Sequence, residues 1–412
     1  MNILRLNAYF APEITAGTHL MNDLYEAFSK NNIKCICITP QPTRGVSQSE
    51  HKHYKKYEEY YDGYVHVHRF PMFNEKKNPL LRALRYGACS LIEYGKGIHM
   101  DDIDVVFSSS TPPTQGMISA MIAKKLSKKY KKKVPFVYNL QDVFPDSMVN
   151  SGMTYKGSFI WKIGRKIETY IYSNADKIIV ISNAMKKNLL EKGVPKEKIE
   201  VVSNWIDLDT VKCVPREQNT LIEEYNIDSQ KFIVTYAGNF GAAQGADIIL
   251  KVAEKLKEEK DIQFVIFGGG LEFNAAVEYV EEHHLTNIII KPLLPQNRIS
   301  EIYSLGDVAL ITCKPGTGKS GLPSKTWSIM ACNTRIVASF DTDSDLAEVI
   351  KTADAGRCVD PGTADALYQG ISAEYMKWKK DNVKCCSTRD YVKRNASKDV
   401  CVTDYINILK GC

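Results

Sequence analysis

Short apolar runs and longer amphipathic stretches alternate along the whole chain. In the first half, NILRLNAYF is followed by the amphipathic HLMNDLYEAFSKNN, then by IKCICIT and YVHVHRF. DVVFSSS, VPFVYNL, DKIIVIS and IEVVSN come later. Each run has the length and β-branched content of a strand, and helical patterns separate most of them. The second half repeats the theme with KFIVTYAG, IQFVIFGGG, NIIIKPL, DVALITC and RIVASF. Strands separated by helices of this length predict parallel pairing, hence α/β domains with doubly wound sheets. No short repeat recurs, so the pattern predicts two similar folds rather than a solenoid. The junction falls near SNWIDLDTVKCVPREQN, giving a first domain over 1–205 and a second over 206–385. The tail, about 386–412, is expected to form helices that pack back on the first domain. Ligands of such folds bind outside the carboxyl ends of the strands, and with two domains facing each other the expected site is the cleft between them.

The most conspicuous candidate chemistry is CKPGTGKS, residues 313–320. A phosphate-binding P-loop needs G-x-x-x-x-G-K-[ST] between a strand and a helix. Gly318, Lys319 and Ser320 fit, but Cys313 stands where the first glycine belongs. GLP then delays the helix, and Pro323 suits the first turn of PSKTWSIMAC. The physics of anion binding survives the failed motif. A strand, a glycine-rich loop and a helix start follow one another, and Lys314, Lys319 and Lys325 gather there.

Composition narrows the class. The chain has 412 residues, 44% hydrophobic and 25% charged, which suits a globular protein with two or three cores. No run of about 20 apolar residues exists to span a bilayer. MNILRLNAYF lacks the features of a signal peptide, and eleven cysteines lie without metal-ligand spacing. The expectation is a cytoplasmic protein with reduced thiols and no metal site. Net charge is +6, but MISAMIAKKLSKKYKKK (117–133) holds seven lysines and no acid. Such a helix is either a solvated surface or an attraction to an anionic membrane. No aromatic-rich basic groove or recognition motif points to nucleic acid.

GLPSKTWSIMACNTRIVAS resembles the donor-binding segment of retaining glycosyltransferases of family 4, which have the two-domain GT-B fold. Six further segments agree in order: YFAPEITAGTHLMNDLYEAF, YNLQDVFPDSM, ADKIIVISNAMKKNL, VVSNWID, YAGNFGAAQGADIIL and VIFGGGLEFNAAVE with LLPQNRISEIYSLGDVALI. The resemblance implies sugar transfer from a nucleotide-diphosphate donor without a metal or other cofactor, with retention of configuration. It implies that Gly17 lets the first loop approach the diphosphate and that Asp142 lies near the transferred sugar. Asn239, Gly268, Gly269, Lys319, Ser320, Gly321, Leu322, Pro323, Ser324 and Lys325 would hold the donor.

Several positions depart from the family pattern. Ser320 and Ser328 replace two glutamates, Asn239 and Gln244 replace an Arg and a Lys, and Gln141 stands where many members have a histidine. GNxGxxQG and PSKTWSIMA resemble instead the branch of bacterial L-N-acetylfucosaminyl transferases of surface-polysaccharide assembly, where Lys325 would replace the missing cation. The implied partners are a UDP-sugar donor, a lipid-diphosphate-linked glycan acceptor and the anionic inner face of the plasma membrane. The apolar helix NPLLRALRYGACSLIEYGKGIHM (78–100), with Arg82 and Arg85 near its start, is either packed or membrane-facing. Two rivals remain: a sugar-nucleotide epimerase of the same fold, and a non-catalytic nucleotide- or partner-binding protein. Gly268, Gly269 and Gly270 mark a tight turn, near the nucleotide base or simply joining strand to helix. His19 either approaches the donor or packs. Asp343, Ser344 and Asp345 either cap a helix or contact the donor's hydroxyls, and Glu348 on that helix is an exposed carboxylate that matches a recurrent glutamate of the family.

Overall fold

A computed structural model describes residues 1–15, 17–47, 53–75, 78–150, 152–241, 244–318, 321–381 and 387–412. It divides into two units, Met1–Ser203 with Cys401–Cys412, and Asn204–Val400. In the first, β1 (Asn2–Leu6), β2 (Lys34–Pro40), β3 (Tyr57–Tyr60), β4 (Val65–Phe70), β5 (Val105–Ser109), β6 (Phe136–Leu140), β7 (Lys177–Val180) and β8 (Ile199–Val201) form one sheet. Its order is β3-β4-β2-β1-β5-β6-β7-β8. Only β3 runs antiparallel, to β4. That strand, YEEY, escapes the hydrophobic pattern because it is an edge strand carrying Glu58 and Glu59.

Helices α1 (Thr18–Lys30), α2 (Pro79–Gly97), α3 (Pro113–Tyr130), α4 (Phe159–Asn174) and α5 (Asn183–Glu191) connect these strands. The stripe expected in the lysine-rich segment is present: Ile118, Ile122 and Leu126 of α3 are buried against Leu4, Leu6, Phe136 and Tyr138 of the sheet. Its charged end is largely partnered. Lys129 pairs with Asp101 at 2.7 Å, Lys132 with Asp104 at 3.0 Å and Lys133 with Asp176 at 2.6 Å.

The second unit contains β9 (Phe232–Asn239), β10 (Ile262–Gly269), β11 (Ile288–Pro292), β12 (Val308–Thr312), β13 (Arg335–Ser339) and β14 (Gly356–Val359). They pair in parallel in the order β11-β10-β9-β12-β13-β14. Numbered from β9, this is the 3-2-1-4-5-6 order of a Rossmann sheet. The order reverses between β9 and β12, so the crossovers leave a crevice at their carboxyl ends. The helices of seven residues or more that lie wholly within the unit are α6 (Asp247–Lys255), α7 (Phe273–Glu282), α8 (Ile299–Leu305), α9 (Lys325–Ala331), α10 (Asp345–Thr352), α11 (Ala364–Asp381) and α12 (Thr388–Asn395). Both faces of the sheet are covered, and β9, β10 and β12 are almost wholly buried.

Only part of the tail lies where the sequence expects it. Helix α12 belongs to the second unit, because Arg389 donates to the carbonyls of Val211 (2.8 Å), Ala331 (2.6 Å) and Leu208 (2.7 Å). The final helix, α13 (Lys398–Lys410), contributes to the first unit only from Cys401 onward. There Tyr405 packs on Phe107 with ring centroids 6.3 Å apart and donates to Asn139 Oδ1 at 3.0 Å.

Helix α11 is fastened to its sheet by charge as well as by apolar packing. Glu374, 2% exposed, accepts from Arg335 of β13 at 2.6 Å and meets Arg357 of β14 at 2.9 Å. Removing one partner of a buried ion pair leaves an uncompensated charge. Glu374→Ala should therefore cost the second unit about 3 kcal/mol in denaturant unfolding, whereas an exposed control such as Glu281→Ala should change it by less than about 0.5 kcal/mol.

Candidate functional site

The crevice of the second unit is built around one lysine. Lys325 is the first residue of α9, and its ammonium reaches across the switch point to β9. Nζ donates to the Ala237 carbonyl at 2.8 Å and lies 4.5 Å above the Tyr236 ring. The Tyr236 hydroxyl donates in turn to the Asn239 carbonyl at 2.9 Å, bracing the end of the strand. Gly238 is what makes room, since a Cβ there would sit 2.5 Å from Nζ. Part of the residue reaches solvent, but the ammonium is enclosed, and this burial pushes its pKa down to about 8. Burial also pushes Tyr236 up to about 12, opposed by the neighbouring Thr312 hydroxyl. Among the described residues no carboxylate pairs with Lys325.

The glycine-rich loop is organised by a residue the sequence did not single out. Asp341, buried just beyond β13, accepts from Gly316 N and Gly318 N, both at 2.8 Å. In a P-loop such amides face phosphate; here two of them face a carboxylate of the chain itself. This settles the P-loop question against the motif. Lys314 is exposed on the loop, and Lys319 and Ser320 lie outside the described residues. Gly321 has open space above it, and Leu322 packs on the core. Pro323 and Ser324 precede the helix rather than opening it, and Thr326 N donates to the Pro323 carbonyl at 3.0 Å. The helix has only seven residues. Its dipole is therefore a minor contributor beside the lysine charge. Ser328, at the second lost glutamate position, is buried.

Asn239, Gly268 and Gly269 come together at adjacent strand ends, with Gly268 opposite Gly238 and Gly269 opposite Asn239. The turn closes at Gly270, whose φ of +101° and contact with the Asn239 side chain exclude a Cβ. Lys325, Asn239, Gly268 and Gly269 thus share one carboxyl edge. Tyr236, Gly238 and Asp341 complete it. Of these, the Tyr-Ala-Gly at the end of KFIVTYAG could have been found as a strand end facing the lysine. Asp341 could not, because its partners are 23 and 25 residues away. Elsewhere in the unit Ser344 caps α10 by accepting from Ala347 N at 3.3 Å, and Glu348 is exposed.

Gly17 and Asp142 belong to the first unit. Gly17 precedes α1 with φ −96° and open space at its Cβ position, so the chain itself makes no demand for glycine there. Asp142 is exposed beyond β6, and its loop is pinned by Ser110 Oγ, which accepts from Gln141 N at 3.0 Å and Asp142 N at 3.2 Å. His19 is exposed on α1. Arg82 is exposed, but Arg85 is buried, with Nε 3.2 Å from Glu75. Arg44 donates to the same carboxylate at 2.6 Å. Both guanidiniums also lie over the Tyr9 ring, at 4.1 and 4.5 Å from its centroid. Burial alone would raise Glu75, but Arg44 and Arg85 hold its carboxyl below the ordinary value.

Comparison with known proteins accounts for both units. A family model described as Glycosyltransferase Family 4 matches residues 17–210, and one described as Glycosyl transferases group 1 matches residues 217–399. The chain is 26% identical over 279 residues to the putative colanic acid biosynthesis glycosyl transferase WcaI of Escherichia coli K12, covering 67% of each. It is 28% identical over 266 residues to the probable glycosyltransferase WbjE of Pseudomonas aeruginosa, covering 64% of each. The alignments therefore span about two thirds of these relatives' lengths. In fold the chain is similar to Anabaena Alr3699/HepE in complex with UDP, with a TM-score of 0.72, 13% identity and full coverage of both chains. With two Rossmann-like units of the GT-B type and family matches over nearly all of its length, the chain belongs to the family 4 glycosyltransferases, enzymes that transfer sugars.

Proposed function

We propose that the protein moves a sugar from a UDP-sugar to a glycan carried on a lipid diphosphate, at the inner face of the plasma membrane, during surface-polysaccharide assembly. The proposed donor sugar is N-acetylated, with L-N-acetylfucosamine as the first candidate, and transfer retains its configuration. The observation that carries the reading is the enclosed Lys325 ammonium without a carboxylate partner among the described residues. A buried charge needs a counter-ion, and a diphosphate at the carboxyl edge of β9 and β12 supplies one. When the glycosidic bond to the diphosphate breaks, negative charge grows on the β-phosphate. A fixed ammonium stabilises that charge more in the transition state than in the ground state, and in this proposal no metal is required. Asn239 and the Gly268–Gly270 turn border the nucleotide, and Asp142 of the first unit orients the sugar. The named function of the colanic acid relative supports the polysaccharide context, and the UDP-bound Anabaena structure supports the nucleotide.

Calorimetry with UDP, GDP and ADP in metal-free buffer tests the donor. UDP should bind selectively, and Lys325→Ala should weaken it at least about tenfold and abolish transfer. Gly238→Ala, which puts a methyl group where the ammonium lies, should weaken UDP similarly while leaving the helical circular-dichroism signal unchanged. Undiminished UDP affinity in both variants would remove Lys325 from the site.

The depressed pKa adds a signature in pH. In the free protein Lys325 is half neutral near pH 8. The unfolded chain holds this proton to higher pH, so the folded state gains stability as pH rises from about 8 toward 10.5. A diphosphate restores the charge, so UDP binding should take up about half a proton at pH 8 and much less at pH 6.5. Heats measured in buffers of different protonation enthalpy read this uptake directly, and Lys325→Ala should abolish it.

A further inference from the structure

The donor chemistry leaves without a role a surface of the first unit that follows the Asp142 loop in sequence. Met153, Tyr155, Phe159, Ile160 and Ile163 are each between 43% and 77% exposed. Single exposed apolar residues are ordinary, but five large ones within eleven residues make a patch. Helical spacing puts Phe159, Ile163 and Lys166 on one stripe of α4, turned away from the buried Gly164, Glu168 and Ile171.

The charges along this segment all have one sign. From Gly152 to Ile167 there is no acidic residue, while Lys156, Lys162, Arg165 and Lys166 are present. Arg165 pairs with the buried Glu168. Lys156, Lys162 and Lys166 are exposed and have no carboxylate partner among the described residues. Lys124 of the neighbouring α3 adds a further cation, 5.4 Å from the Tyr170 ring on the same stripe. The lysine run at the end of α3 is a weaker candidate, because Lys129, Lys132 and Lys133 are each paired with an aspartate.

We propose that this face of α4 rests on an anionic phospholipid bilayer. Tyr155, Phe159, Ile160 and Ile163 enter the boundary between headgroups and acyl chains, and Lys156, Lys162 and Lys166 face the phosphates. An aromatic and aliphatic body with lysines reaching outward is what an interfacial helix presents. A protein partner fits less well, since protein interfaces are depleted in lysine. The inference rests on the lipid-linked acceptor proposed above and gives it a location. Helix α4 follows, in sequence, the loop that carries Asp142.

Flotation of the full chain with phosphatidylcholine vesicles, with and without phosphatidylglycerol, tests the surface. The wild type should partition only onto the anionic vesicles, and less in high salt. Phe159→Ser with Ile163→Ser should reduce partition at least about tenfold, and Lys162→Glu with Lys166→Glu by at least about fivefold per lysine. Leu84→Ser with Leu91→Ser, on the exposed face of α2, should leave it within about twofold. UDP calorimetry on every variant reports folding and separates the two readings. Loss of UDP binding in Lys325→Ala with vesicle partition intact leaves this surface standing, and failure of the wild type to bind UDP strikes the donor reading alone. Equal partition onto neutral vesicles, no partition at all, or partition unaffected by the α4 substitutions would overturn the proposal. So would a wild-type dimer in gel filtration that the Phe159/Ile163 pair dissolves while vesicle partition persists.

Discussion

Taking an ammonium group out of water costs several kcal/mol unless the surroundings return most of what hydration supplied. The second unit returns only part of it to Lys325: one carbonyl, the face of one tyrosine ring, and no carboxylate among the described residues. The rest of the crevice follows from that arrangement. A methyl group at position 238 would displace the ammonium from where it lies, and glycine leaves that place open. The tyrosine beneath the charge cannot swing away, because its hydroxyl is tied to the next turn of backbone. The parallel order of the strands brings a loop after β12 beside the end of β9, which is the only reason residues 88 apart can meet.

Most of this architecture was legible in advance, for physical reasons that also explain the omissions. Runs such as KFIVTYAG and IQFVIFGGG are buried on both faces, so their composition is nearly pure strand, and they appear as β9 and β10. Strand YEEY pairs only along one edge and can keep two glutamates, which erases the hydrophobic signal. Lys325 was legible because a strand, a glycine-rich loop and a helix surround it. Its partners were not, because contact with Ala237 and Tyr236 is created by the sheet order. Asp341 shows the same limit: nothing local distinguishes it from any aspartate after a strand, until the loop folds over it. The pattern of the tail does not separate α12 from α13, which differ in what their side chains find: α12 meets the second unit, and α13 from Cys401 onward meets the first.

Density of charge along the chain proved a poor guide to where charge is available. The seven-lysine run draws three aspartates to its end, so much of its field is neutralised locally. The first unit likewise contains Arg44 and Arg85 close to the Tyr9 ring, and both are directed at the one carboxylate of Glu75. By contrast, the isolated Lys325 and the three lysines around α4 keep theirs. What a cation can do depends on the acids that the fold brings to it, and those are read from topology rather than from spacing.

The last helix gives the first unit a discontinuous chain. Residues 401–412 fill a place beside Phe107 and Asn139 that residues 1–203 leave for them, and the whole second unit is inserted between the two segments. Synthesis runs from the amino terminus, so residues 401–412 are joined to the chain only after all the described residues of the second unit. The first sheet can form early, but the space over β5 and β6 waits for Tyr405. The unit begun first is thus the unit completed last, because its final helix reaches it across the whole intervening second unit.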